Sequence, residues 1–68
     1  MSTKLLTTRE KEIFEMLIEN NATKDIARKL NISEKTVRNH ISNVIQKLGV
    51  IGRSQAIIEL IKMNELSI

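Results

Sequence analysis

Proline is absent from this chain of 68 residues, and glycine occurs only at Gly49 and Gly52. Sandwiches, barrels and flexible linkers need such residues at their turns, so the composition favours helices joined by short connections. A chain this short buries only about 60% of its extended surface on folding, which allows one small core. We therefore predict a single all-α domain over residues 1–68.

The first two predicted helices are marked by a cap and by apolar residues at helical spacing. Thr7 and Glu10 have the spacing of a capping box, which predicts a helix from about residue 8 to residue 19. Asn20-Asn21 then favours a helix end, because Asn tolerates the left-handed conformation. A shorter helix over about residues 23–30 has the apolar residues Ile26, Ala27 and Leu30.

Two further helices complete the predicted all-α, four-helix architecture. Ser33 is a favourable cap for a third helix over about residues 34–48, which Gly49 would end. The apolar seam of this helix consists of Val37, Ile41, Val44, Ile45 and Leu48. A fourth helix over about residues 54–64 begins at Ser54 or Gly52, with Gln55 at the position of a capping partner for Gly52.

The absence of cysteine excludes disulfides, thiolate nucleophiles and zinc sites built on sulfur. The N-terminal residues lack the apolar run of a signal peptide, and no stretch approaches the roughly 20 apolar residues that span a bilayer. We expect a soluble cytoplasmic protein with no membrane partner.

The charge balance makes nucleic acid a plausible partner. Eleven Lys and Arg against eight Asp and Glu give a net charge of +3, and the predicted pI is about 9.6. This signal alone is weak, since many proteins that never bind DNA share it. Phe14 is the one aromatic residue besides His40, which argues against reading single strands by base stacking and favours duplex DNA.

The second and third predicted helices have the sequence form of a DNA-binding helix-turn-helix. Four polar residues of the third helix lie at i, i+3, i+4 and i+7, opposite the apolar seam, so they share one helix face. We call them the reading face: Lys35, Arg38, Asn39 and Ser42. Arg38 could bind guanine O6 and N7, Asn39 could bind adenine N6 and N7, and Lys35 could reach guanine or phosphate.

The alternative interpretation of this face is an ordinary solvated surface, which is the usual fate of a polar stripe on a helix. The distribution of acidic residues favours DNA instead. Glu34 lies in the first turn, where it complements the helix dipole, and no Asp or Glu follows it before Gly49. A merely solvated helix normally mixes both signs of charge.

Donors around this helix are candidates for contacts with phosphate groups. Each has a plainer alternative, either a surface residue or a helix cap, and for Thr23 the two interpretations are equally supported. Asn43 and Ser42 would reach a base or the backbone according to the tilt of the helix. The candidate phosphate contacts are Thr23, Lys24, Thr36, Asn43, Lys47 and Arg53.

No enzyme chemistry is indicated by the sequence. His40 is the single histidine and has no second histidine or cysteine with which to share a metal, so we expect a hydrogen-bonded packing residue. Glu10, Glu12 and Glu15 are expected to serve as helix capping and solvated surface. We predict no catalytic residue, no metal and no cofactor.

Three motifs resemble the DNA-binding domain of LuxR-type transcriptional regulators, and together they cover nearly the whole chain. They are Leu6-Thr7-x-Arg9-Glu10-x-Glu12-Ile13, Lys24-Asp25-Ile26-Ala27-x-x-Leu30-x-Ile32-Ser33-x-x-Thr36-Val37-x-x-His40, and Lys47-Leu48-Gly49-Val50 with Arg53-x-Gln55-Ala56. Two positions depart from the family pattern, which often has Gly at Asn20 and usually has a capping Ser or Thr at Ala22. The second helix could therefore begin less firmly.

The resemblance implies a four-helix domain that dimerises through its last helix, activates some promoters and represses others. It assigns base reading to Lys35, Arg38, Asn39 and Ser42, the face derived above. Within the family, the stretch from Ile32 to Ala56 resembles a regulator that consists of this domain alone. That similarity implies control of late spore-formation and spore-coat genes in the mother cell, on the bacterial nucleoid, with RNA polymerase as a further partner.

The fourth helix gives an independent argument for a homodimer. Six of the eight positions from residue 56 to residue 63 are apolar, which is more than one face of a small core needs. We expect the α4 face, defined as Ile58, Ile61 and Met63, to be partly exposed and to form the dimer interface. Alternatively, Leu66 and Ile68 fold back over this surface.

The sequence leaves two other interpretations open. A protein-interaction module could use the fourth helix to bind another regulator or polymerase, with the third helix merely solvated. The chain could also be the isolated output domain of a longer regulator, against which the Met1 start and the short lead-in argue.

Overall fold

The computed structural model describes residues 5–67, which form four helices and no strand. They are α1 (Thr8–Ile18), α2 (Thr23–Leu30), α3 (Glu34–Leu48) and α4 (Arg53–Lys62). The predicted all-α architecture is confirmed, and the bounds of α2 and α3 agree with the prediction. The other two helices are shorter than predicted at their C-terminal ends, and α4 begins one residue earlier. Within residues 5–67, each helix is too short or too polar to cross a bilayer.

Side-chain caps begin α1 and α3, as the sequence predicts. The Thr7 hydroxyl accepts from the Glu10 amide at 3.1 Å, and the Glu10 carboxylate accepts from the Thr7 amide at 3.0 Å. The Ser33 hydroxyl accepts from the Thr36 amide at 3.0 Å. These contacts pair backbone donors that a helix start otherwise leaves without an intrahelical acceptor.

The starts of α2 and α4 differ from these two. Ala22 precedes α2 and supplies no side-chain cap, in agreement with the weaker start expected there. Gly52 precedes α4, and the Gln55 side chain accepts from the Ile51 amide at 3.0 Å rather than from Gly52. The predicted partnership of Gln55 with Gly52 is therefore wrong by one residue, because the side-chain oxygen of Gln55 binds the amide of the residue that precedes Gly52.

All four helices end in the same left-handed turn. The residue after the last turn has a positive φ in each case, and the next amide donates to a carbonyl five residues earlier. This is the Schellman motif, which pairs carbonyls that the helix end leaves without a partner. The four left-handed residues are Asn20, Asn31, Gly49 and Asn64.

The core lies on α3, which packs against each of the other three helices. Phe14 and Ile13 of α1, Ile26 of α2 and Leu60 of α4 are fully buried. Each such side chain contributes about 1.5–3 kcal/mol through burial. The buried apolar residues are Leu6, Ile13, Phe14, Ile26, Ala27, Val37, Ile41, Val44, Ala56, Leu60 and Leu66.

The segment after α4 returns to the core without covering the α4 face. Leu66 is buried, and its amide donates to the Leu60 carbonyl at 3.2 Å. Ile58 and Met63 nevertheless remain 52% and 47% exposed, while Ile61 is half-buried. The predicted partial exposure of the α4 face is thus confirmed, with Ile58 and Met63 more exposed than Ile61. The alternative prediction was that Leu66 and Ile68 fold back over this face, and Ile68 lies outside the described residues.

Candidate nucleic-acid interface

A three-residue turn joins α2 to α3 and positions the helix-turn-helix. Asn31 adopts the left-handed conformation with φ 57°, and the Ile32 amide donates to the Ala27 carbonyl at 3.0 Å. Ile32 packs against the core, and Ser33 then caps α3. The turn is therefore closed by hydrogen bonds at both ends, and the two helices are packed closely.

All four residues of the reading face are exposed along one side of α3. The opposite side is buried through Val37, Ile41 and Val44, so the orientation of α3 about its axis is determined by the core. Burial of this seam leaves the polar face outward over two turns of helix. A rigid, exposed face of donors is the geometry by which a recognition helix contacts base edges.

Arg38 is not isolated on this face. Its Nη2 atom lies 3.0 Å from Oε1 of Glu34, with the two side chains 59% and 41% exposed. The predicted interaction of Glu34 with the helix dipole did not include this ion pair. The i, i+4 spacing of an acid before a base was the signal that could have found it.

The candidate phosphate contacts divide into exposed and half-buried residues. Lys24, Asn43 and Arg53 are exposed, with Lys24 and Arg53 in the first turns of α2 and α4. Thr23 is half-buried at the first position of α2 and does not cap that helix. Thr36 is half-buried, and its hydroxyl lies 2.9 Å from that of Ser33.

Lys47 has an intramolecular role, which differs from the predicted phosphate contact. Its Nζ atom donates to Oε1 of Glu10 at 2.6 Å and to the carbonyl of Leu5 at 3.3 Å. The Lys47 side chain is 34% exposed, whereas the Glu10 side chain is 4% exposed. This contact joins the start of α1 to the last turn of α3 and argues against the predicted phosphate contact of Lys47.

Glu10 is the one buried charged residue in the described part of the chain. Burial by itself would raise the pKa of this carboxyl, but the hydrogen bonds from Lys47 and the Thr7 amide outweigh it. The charges of Lys47 and His40 act in the same direction, so the pKa of Glu10 lies below its ordinary value. The predicted capping role of Glu10 is confirmed, and the ion pair is an addition to it.

His40 lies half-buried on α3. Within residues 5–67 its ring makes no hydrogen bond, so the expectation of a hydrogen-bonded packing residue is wrong on that point. The same residues contain no cluster of three or more His, Asp or Glu side chains that could hold a metal.

An open groove runs beside the α4 face. It has a volume of about 350 Å³, and Ile58 lies in its wall. Glu59 and Lys62, 3.9 Å apart, form its polar edge. Val50 and Ile58 are the apolar residues of its lining, and Gln55, Glu59 and Lys62 are polar or charged, so the exposed apolar surface beside the groove is mainly that of Ile58.

The family model for bacterial regulatory proteins of the luxR family matches residues 4–60. The chain belongs to the luxR family. The spore germination protein GerE of Bacillus subtilis (strain 168) is 64% identical to it over 64 residues, which cover 94% of this chain and 86% of GerE. This luxR-family chain is accordingly a DNA-binding transcription regulator and not an enzyme.

Other relatives of this luxR-family chain are larger. The transcriptional regulatory protein DegU of Brevibacillus brevis is 45% identical over 58 residues, which cover 85% of this chain and 25% of DegU. A solved structure described as that of the transcription factor GerE superposes with a TM-score of 0.93 at 66% identity, covering 96% of this chain and 97% of the other. The four-helix luxR-type fold is therefore shared.

Proposed function

We propose that this regulator reads duplex DNA by placing the reading face of α3 in the major groove. The observation that supports this most directly is the exposure of all four of its residues opposite the buried side chains of Val37, Ile41 and Val44. Arg38 is the reader of a guanine through O6 and N7, and Asn39 is the reader of an adenine through N6 and N7. Lys35 contacts guanine or phosphate, and Ser42 contacts a base or the backbone.

The proposed phosphate contacts surround α3 on the neighbouring helix starts. Lys24 and Arg53 supply positive charge at the first turns of α2 and α4, where free amides also favour anions. Thr23, Thr36 and Asn43 supply neutral donors. We leave Lys47 out of this set, because its amine is already held by Glu10 and Leu5.

The regulator acts as a homodimer through the α4 face in this proposal. Ile58 and Met63 are exposed, Ile61 is half-buried beside them, and a groove adjoins Ile58. Joining two such faces would remove apolar surface from water. Two reading faces would then meet half-sites about 34 Å apart or at a related spacing, and the number of phosphate contacts would double.

The similarity to GerE, a spore germination protein, supports a role in spore formation. We propose that this role is the control of late genes and spore-coat genes, as activator and repressor. We infer action in the bacterial cytoplasm, on the nucleoid, and in the mother cell of a sporulating cell. At activated promoters, RNA polymerase is the further partner.

Selection from a random duplex library tests the proposal as a whole. The enriched sequences should contain two related half-sites at a fixed spacing, and affinity should fall steeply with salt. A preference for guanine and adenine at adjacent positions of each half-site would match Arg38 and Asn39.

A protein-interaction module that uses the exposed α4 face is the competing function. Failure to enrich any sequence, together with affinity that is insensitive to salt, would favour this module and contradict groove reading.

A further inference from the structure

Glu34 and Arg38 form an ion pair at the edge of the reading face. The acid is the first residue of α3 and the base lies one turn later, so both side chains project from the end of the helix that carries the base readers. Both are about half exposed, and an exposed pair of this kind adds only about 0–1 kcal/mol to stability. Its significance therefore lies in what it does to Arg38.

We propose that Glu34 is a specificity-determining residue, which orients the Arg38 guanidinium for a base and penalises binding to the wrong sequence. This inference rests on the proposed groove reading by α3. Three features support it: the 3.0 Å contact, the position of the acid on the proposed DNA-facing end, and the absence of other acids along α3.

The geometry of the guanidinium explains the orienting effect. Arg has five N–H donors in a rigid fork, and the contact with Glu34 uses Nη2. The Nη2 atom has two N–H groups, and one of them donates to Glu34. Within the described residues, Arg38 makes no other side-chain hydrogen bond, so the second Nη2 donor and a donor on an adjacent nitrogen can still form a parallel pair for a base. A guanidinium held on one side loses fewer rotamers when the other side binds, which favours a single base geometry.

The charge of Glu34 explains the penalty. Sequence-independent binding depends on cations near phosphates, and an acid beside Arg38 neutralises one such cation and repels the backbone. At the correct sequence, contacts with the base compensate for this loss, whereas at a random sequence nothing does. Discrimination by an element that disfavours the wrong partner is common in specific interfaces.

Substitution Glu34→Gln tests the proposal against Glu12→Gln as the matched control. Glu12 pairs with Arg9 on α1 at 3.6 Å, with a similar exposure of 46%, so both variants make the same change in net charge. Affinities would be measured for the selected duplex and for a scrambled one at two salt concentrations. We expect Glu34→Gln to tighten binding to the scrambled duplex about fivefold more than binding to the selected one. A fivefold difference in affinity corresponds to about 1 kcal/mol, which is the upper end of the energy of an exposed ion pair. Glu12→Gln should change both affinities equally.

The conservative variant Glu34→Asp separates orientation from charge. Asp keeps the negative charge at the helix start but shortens the reach to Arg38, so it should broaden base preference as Glu34→Gln does. If Glu34→Asp instead keeps the wild-type preference, charge alone acts and the orienting role is overturned. Thermal unfolding of each variant establishes that it is folded.

The same substitution in the Arg38→Ala background completes the test. There, Glu34→Gln should leave base preference unchanged, because the residue that it orients is gone. An equal effect in both backgrounds would overturn the inference. If the wild-type protein binds the selected and the scrambled duplex equally well, groove reading itself is refuted. If the wild type distinguishes the two duplexes and Glu34→Gln distinguishes them equally well, only the role of Glu34 is refuted.

Discussion

The amine of Lys47 lies 2.6 Å from the carboxylate of Glu10, a residue 37 positions earlier in the chain. The pair connects the cap of α1 to the last turn of the helix that carries the reading face. The carboxylate is almost fully buried, and the hydrogen bonds from Lys47 and Thr7 compensate for its removal from water. One ion pair thus stabilises the packing of α1 against α3.

Replacement of Lys47 by Met should destabilise the protein without altering how its affinity depends on salt. The substitution retains the apolar stem but leaves the buried Glu10 carboxylate without its cation, at a cost of about 1–2 kcal/mol. For a domain of this size, that corresponds to a fall in Tm of roughly 4–16 °C. Calorimetry would measure the loss. A fall of about 1 in the slope of log affinity against log salt would instead identify Lys47 as a phosphate contact.

The lowered pKa of Glu10 predicts an acid-dependent loss of stability. A carboxyl with a depressed folded-state pKa contributes its full stabilisation above the unfolded-state pKa, which is 4.5 for Glu10. That contribution is lost as pH falls through the lower folded-state pKa. The free energy of unfolding, measured with urea from pH 7 to pH 3, should fall in the wild type through this contribution. Glu10→Gln should abolish this part of the fall, whereas Glu15→Gln, at an exposed position of α1, should not. Parallel profiles for wild type and Glu10→Gln would contradict the assignment.

The distinction between base reading and phosphate contact separates Arg38 from Lys24. Arg38→Ala should cost about 1–3 kcal/mol at the best site and relax base preference at one position. Lys24→Ala should weaken binding to all sequences alike and reduce the salt slope by about 1. Titrations with the selected and scrambled duplexes measure both. Equal losses on the two duplexes for Arg38→Ala would show that it does not read a base.

A charge on the α4 face should disrupt the proposed dimer. Ile58→Glu places a carboxylate in the apolar surface, which is costly to bury at an interface. Sedimentation should show a larger monomer fraction, and binding to a paired half-site should weaken more than binding to a single one. Ile51→Glu, at a residue that is 91% exposed and outside α4, is the control. If both variants associate like the wild type, the α4 face is not the interface.

The two glycines should respond differently to alanine. At Gly49 the φ of +67° is strained for any residue with a side chain, although an added Cβ would meet no atom within 4 Å. Gly49→Ala should therefore cost about 1–2 kcal/mol through the backbone alone. Gly52 has an extended backbone and equally open space, so Gly52→Ala should change stability by less than about 0.5 kcal/mol. Chemical unfolding of both variants tests this, and equal costs would show that the left-handed turn is not the cause.

Prediction from the sequence was most successful where structure depends on near neighbours. The Thr7 capping box, the Ser33 cap and the bounds of α2 and α3 all follow from residues within four positions of each other. The exposed reading face was also predicted, because helical periodicity places it opposite the buried seam. The Glu34–Arg38 pair obeys the same local rule and could have been found.

The sequence by itself therefore determined four helices, the N-terminal caps of α1 and α3, and the polar face of α3, since each of these depends on local backbone preference and on the period of the helix. Only the tertiary structure decided that Lys47 binds Glu10, that Leu66 returns to the core, and that Ile58 stays exposed. These contacts depend on how α1 and α4 pack against α3, and no local spacing encodes that packing. For this reason Lys47 was removed from the candidate phosphate contacts, whereas the four residues of the reading face stayed the same.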